Sequence, residues 1–115
     1  MPYKIVRYTR ISGEYRSLAE ESTATVIYAV GMKTKPNLKC GPLTAFKTMK
    51  DLINFVGCHG WEGYPIFEVE LVKYKGEKKA LWNLETFDGL KREFRELPAG
   101  TILCSSITLI KKVWL

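Results

Sequence analysis

The C-terminal run "GTILCSSITLIKKVWL" (100–115) constrains the fold more than any other stretch of the chain. Through its centre both alternating sets of side chains are apolar or small, so a strand made from it has no face suited to water. It follows a Pro98-Ala99-Gly100 turn and predicts a long strand in a central sheet position. A second strand is expected at "PIFEVELVKYK" (65–75), where Phe67, Val69 and Leu71 point one way and Glu68 and Glu70 the other.

The remaining elements follow from periodicity. "YKIVRYT" (3–9) alternates as a first strand, and "TATVIYAVGM" (23–32), β-branched and almost wholly apolar, predicts a strand buried on both faces. Prolines, a glycine and an asparagine make 33–43 irregular. The clearest helix is expected over 44–57, with Phe46, Met49, Ile53 and Val56 as its apolar stripe, widened by Leu52, Thr44 as its cap and Gly57 as its end. After the charged turn "KGEKK" (75–79), "ALWNLET" reads as a returning strand. Residues 88–97 carry both a hairpin signal, Asp88-Gly89, and a helical spacing of Leu90, Phe94 and Leu97; a short second helix is the favoured reading. The whole predicts a single α+β domain over 1–115, with a mostly antiparallel sheet of about five strands and one main helix packed on it.

Composition narrows the compartment and the chemistry. At 115 residues, with 46% hydrophobic and 26% charged, the chain can bury a core without staples. No apolar run reaches the roughly 20 residues that span a bilayer, and the N-terminus lacks the apolar core of a secretory signal. Three separated cysteines, Cys40, Cys58 and Cys104, leave at least one thiol free within a monomer. A mature, soluble, cytoplasmic protein in a reducing compartment, without a membrane partner, is the expectation.

The segment "GCHGWEGYP" (57–65) holds the single histidine beside Cys58. As a nucleophile and base these two are badly placed, because successive side chains diverge and no second histidine is present. With Cys40 and Cys104 they would make a three-sulfur, one-nitrogen set suited in kind to zinc, but at the spacing of no finger or knuckle. The segment therefore reads as a connection, with Trp61 and Tyr64 covering the core's edge. Phosphate loops, nucleophile elbows and zinc-protease motifs are missing from the sequence, and no cofactor, metal or catalytic residue is assigned.

Two resemblances bear on function. "IYAVGMKTKPN", "GPLTAFKTMKDLINFV", "IFEVEL" and "LPAGTILCSSITLIKKV", over residues 25 to 113, together resemble a small α+β domain family of phages, mobile elements and large DNA viruses. That family has no assigned activity; the resemblance implies the architecture and an accessory role, and carries over no catalytic residue. "YKIVRYTR", "STA" (22–24) and "EVE" (68–70) resemble the arginine, serine–threonine and glutamate layout of ADP-ribosyltransferases, without a proper Ser-Thr-Ser turn.

Three readings follow, in this order. The first is a non-enzymatic interaction domain that binds a protein partner or itself as a homodimer, with Trp61, Tyr64 and Trp114 as interface residues. The second draws on a net charge of +6 and is a nucleic-acid binder, with Lys33, Lys35 and Lys39 of the Pro-rich loop and Lys47 and Lys50 of the helix forming one basic patch. The third is a small nucleotide-handling enzyme of ADP-ribosyltransferase-like type, with Arg7, Arg10 or the loop lysines holding phosphate and Glu68 or Glu70 acting as base.

Overall fold

A computed structural model describes residues 1–18, 25–36, 42–75 and 97–114. It shows an α+β protein in which all the strand pairings are antiparallel. In chain order the elements are β1 (Tyr3–Ile5), β2 (Arg7–Thr9), β3 (Glu14–Arg16), β4 (Ile27–Tyr28), β5 (Lys33–Thr34), β6 (Leu43–Phe46), α1 (Met49–His59), β7 (Ile66–Lys73) and β8 (Thr101–Val113).

β8 is the central strand that its two-faced apolar sequence requires. One edge pairs with β7 from Cys104 to Val113; the other pairs with β6 from Thr101 to Cys104 and with β5 at Ile107 and Thr108. β1 lies between β6 and β7, so β8, β6, β1 and β7 close into a ring. Two register shifts in the β7–β8 ladder leave Ile110 and Ser105 of β8 as extra residues. Such bulges bend a strand and increase its twist, which is what a long strand needs to serve neighbours around a closed ring. Cys104, Ile107, Leu109 and Val69 fill the interior at 0% exposure.

The first strand is not continuous. It breaks at the fully buried Val6, whose N–H donates to Pro65 O at 3.0 Å, and continues as β2 in a separate three-stranded sheet, β2-β3-β4. β4 corrects a further expectation. Tyr28 is buried but Ile27 is 53% exposed, so the described part of 23–32 is buried on one face only. On that outer face Ile27 stands opposite Arg16 of β3.

Residues 33–43 are not wholly irregular either, since Lys33–Thr34 add to the edge of β8. "ALWNLET" and the region of the second helix, apart from Leu97, lie outside the described residues.

The helix starts later than its periodicity suggests. Residues 43–46 pair with β8 as β6, burying Leu43, Ala45 and Phe46, and the helix occupies Met49–His59. Thr48, not Thr44, is its cap: its Oγ1 accepts from Asp51 N at 3.1 Å and donates to Asp51 Oδ2 at 2.8 Å. Gly60, not Gly57, ends it, at φ 73° with its N–H bonded to Val56 O. Of the expected stripe, Leu52 and Val56 are buried and Met49 packs beside them; Phe46 belongs to β6, Phe55 packs inward, and Ile53 turns out to 47% exposure.

This register predicts opposite outcomes for adjacent positions. Leu52→Ala lowers unfolding free energy by about 2–5 kcal/mol, whereas Ile53→Ala changes it by no more than about 0.5 kcal/mol. Urea unfolding of the two variants measures both; the reverse order contradicts the register.

Candidate binding sites

Two concave sites flank the sheet. The larger is a cavity of about 620 Å³ between β1, β6, α1 and the turn leading into β8. That is the size of an ordinary small-molecule site. Ile5, Phe46, Phe55 and Trp61 give it an apolar wall, and Lys4 supplies its cationic group. Asp51, also on the lining, is held by the Thr48 hydroxyl and pressed against Gly100. Gly100 has φ 79° and lies so close to Asp51 that a Cβ there would overlap the carboxylate, so both its backbone and its neighbour require glycine.

Lys4 sits in β1 with part of its side chain exposed but its ammonium enclosed. Nζ donates to Thr44 O at 2.6 Å, reaches Thr44 Oγ1 at 3.4 Å, and lies 5.8 Å from the centre of the Tyr28 ring. Among the described residues it has no carboxylate partner. Desolvation lowers its pKa from 10.5 to about 8, and the nearby Cys104 works weakly against that shift. The same burial pushes the Cys104 thiol up to about 11 and raises the Tyr28 phenol. The Tyr28 hydroxyl is buried with no hydrogen-bond partner among the described residues.

The smaller site is a cleft of about 580 Å³ formed where β2 and β3 meet the turn into β7 and the end of β8. Arg7, Tyr8, Tyr15, Tyr64 and Lys112 line it, with Gly63 and Pro65. Tyr8 and Tyr15 face each other across the β2–β3 ladder, their ring centres 5.2 Å apart, and Tyr15 meets Phe67 edge-on at 5.0 Å. Phe67 is 2% exposed, so the aromatic row is anchored in the core and ends in solvent at Tyr8, 47% exposed. The hydrogen bond between Val6 and Pro65 ties the two halves of the cleft together. Beyond it, Lys112 Nζ lies 4.4 Å over the Trp114 ring, and Trp114 is 80% exposed.

The residues singled out in the sequence are distributed differently. Lys33, Lys35, Lys47 and Lys50 are all exposed, and Lys33 and Lys47 stand at different points along β8. Lys33 stands opposite Thr108, while Lys47 follows the pairing of Phe46 with Thr101 and bonds Gly100 O. Seven positions of strand separate those two points, roughly 20 Å. Lys39 lies outside the described residues, as do Cys40 and Ser22 to Ala24.

Cys58 and His59 are not in a connection; they form the last turn of α1, because the helix runs on to Gly60. His59 stacks on Phe55 at 4.6 Å with Nδ1 3.1 Å from Phe55 O, and both Cys58 and His59 border the cavity. Cys104 is in β8, at 0% exposure, and no group of three metal-ligating side chains occurs among the described residues. Trp61 and Tyr64 pack edge-on against each other at 5.0 Å and against the second core cluster, so only Trp114 of the expected interface set is fully exposed. Glu68 and Glu70 are on β7, and neither is among the described residues that line the two cavities.

The sequence reading missed Lys4, which looked like the polar half of an alternating strand. Tyr8 is likewise not among the residues that the sequence singles out. A lysine next to Ile5-Val6 in a strand that crosses between two sheets carries no local mark of burial. The cue for Tyr8 was the pair of Tyr-Arg steps, Arg7-Tyr8 and Tyr15-Arg16, which β2 and β3 bring face to face.

Lys4 makes stability depend on pH. Its folded-state pKa is below its unfolded value, so below about 8 the folded protein bears the full cost of a buried charge, and that cost is relieved as pH rises from about 8 towards 10.5. Cys104 acts in the opposite sense above pH 9, since the unfolded thiol ionises first. Lys4→Met is expected to be more stable than the parent at pH 7 by about 1–4 kcal/mol, with the difference narrowing as pH is raised through 8. Denaturant unfolding across that range checks it; a less stable variant at pH 7 contradicts it.

No helix among the described residues is long and apolar enough to cross a membrane. In comparisons with known proteins, no family model, curated protein or solved structure matches the chain.

Proposed function

We propose that the protein binds single-stranded nucleic acid through the cleft of Arg7, Tyr8, Tyr15, Tyr64 and Lys112. One observation carries the reading: two cationic side chains and three tyrosine rings converge in one cleft that has no carboxylate among its described lining residues. Tyrosine faces give unpaired bases a surface to stack on, and Lys112 neutralises a phosphate beside them. An exposed Trp114 beside Lys112 extends the same chemistry out of the cleft. The net charge of +6 adds long-range attraction. A duplex is a poorer fit, because its stacked bases offer the rings nothing to stack on. The accessory role implied by the resemblance to phage and mobile-element domains is compatible with such a binder.

The test is fluorescence anisotropy with a labelled oligothymidine at several salt concentrations. Tyr8→Ala is expected to weaken binding by about 1–3 kcal/mol, and Lys112→Ala to reduce the salt slope by about 0.7. Replacing Lys33 and Lys35 together leaves affinity nearly unchanged. A complex insensitive to salt, a duplex bound as tightly, or a free mononucleotide bound as tightly as the oligomer contradicts the reading.

A second reading, protein interaction by self-association, is favoured by a different surface from the one expected. Gly31 N–H donates to Leu109 O at 2.8 Å and brings Val30 and Met32 beside Ile110, and these three are 50%, 64% and 41% exposed. Exposed apolar groups gathered in this way mark contact surfaces. Sedimentation equilibrium is expected to show a dimer that Met32→Lys dissociates; a monomer at high concentration removes this reading.

A further inference from the structure

We propose that the cavity between β1, β6 and α1 is a binding site for a small organic acid with an apolar body, whose carboxylate pairs with the Lys4 ammonium. The site is independent of the tyrosine cleft, and none of the residues lining the two is shared.

The argument begins with the charge. An ammonium withdrawn from water needs an anion or a full set of hydrogen bonds, and Lys4 has neither among the described residues. Its one short hydrogen bond goes to a neutral carbonyl, Thr44 O, and the second, to Thr44 Oγ1, is long at 3.4 Å. Nζ has three protons, so at least one is left without a strong acceptor. Neither of the ionisable groups around it answers the charge: burial raises the Tyr28 phenol and pushes the Cys104 thiol up to about 11, so neither is an anion near neutrality.

Space and chemistry fit the same occupant. The cavity of about 620 Å³ adjoins Lys4 and is walled by Ile5, Phe46, Phe55 and Trp61. An anionic head at Lys4 with an apolar body along those side chains would complete both requirements. Asp51 is the only carboxylate among the described lining residues. Its Oδ2 accepts from the Thr48 hydroxyl at 2.8 Å, and it disfavours an anion beside it. Lys4 is therefore the group on the lining that favours the carboxylate of a ligand. Thr44 Oγ1, also on the lining, stands within reach of the same head group. An anion there also reverses the effect of desolvation on the lysine, so ligand binding and protonation of Lys4 reinforce each other.

The experiment compares octanoate with octanol, which has the same chain and no charge. The readouts are proton–carbon NMR of the Lys4 ε-methylene and of the Phe55 and Trp61 rings. Octanoate is expected to shift all three signals at millimolar concentration and to raise the Lys4 titration midpoint. In Lys4→Met, octanoate affinity is expected to fall about tenfold or more while octanol binding is unchanged. That variant removes a buried charge and is expected to fold, so loss of binding in it reports the missing ammonium. Equal affinity for octanol and octanoate in the parent protein, saturation without movement of the Lys4 signal, or no octanoate binding at millimolar concentration overturns the proposal. None of these outcomes bears on oligonucleotide binding at the cleft.

Discussion

The ladder between β7 and β8 is the interaction on which the other elements depend. β5, β6 and β7 hydrogen-bond directly to β8, and β1 is held between two of those partners. The side chains at the centre of this arrangement, Val69, Cys104, Ile107 and Leu109, are wholly withdrawn from water, so burial and hydrogen bonding act on the same residues. The two extra residues in β8 let one strand curve enough to meet neighbours on both sides. Without that curvature the ring would open and expose the edges of β1 and β6.

Both sites are consequences of how this ring is entered and left. The chain crosses from the large sheet to the small one at Val6, so Lys4 and Ile5, before the break, border the cavity, while Arg7 and Tyr8, after it, border the cleft. The end of β8 supplies Lys112 to the cleft, and its start supplies Thr101 to the cavity. Helix α1 closes the cavity with one face and reaches the turn that carries Trp61 and Tyr64. A single strand pair therefore positions two sites of different character: one enclosed and mostly apolar with a single cation, the other open, aromatic and basic.

How much of this was legible varies with the range of the interactions involved. β7 and β8 were legible because alternation and two-sided apolarity are local patterns that burial enforces. The helix was legible in kind but misplaced at its start, because Leu43 to Phe46 can continue a helical stripe or pair with β8, and the pairing is non-local. Once those four residues join the sheet, Thr48 becomes the first available cap. The spread of the lysines has a related cause: Lys33 and Lys47 are close in sequence, yet β5 and β6 dock at different points along one edge of β8. The tyrosine cleft depends on cross-strand pairing of Tyr8 with Tyr15 and on the approach of Pro65 to Val6, neither of which any window of sequence contains.

The claim that most needs direct observation is that the cleft, and not the scattered lysines, recognises single strands. Mapping chemical-shift changes of the labelled protein during titration with a short single-stranded oligonucleotide addresses it residue by residue. The account predicts changes concentrated at Arg7, Tyr8, Tyr15, Gly63 to Pro65 and Lys112. Changes centred on Lys33, Lys35, Lys47 and Lys50, or none at saturating oligonucleotide, would contradict it.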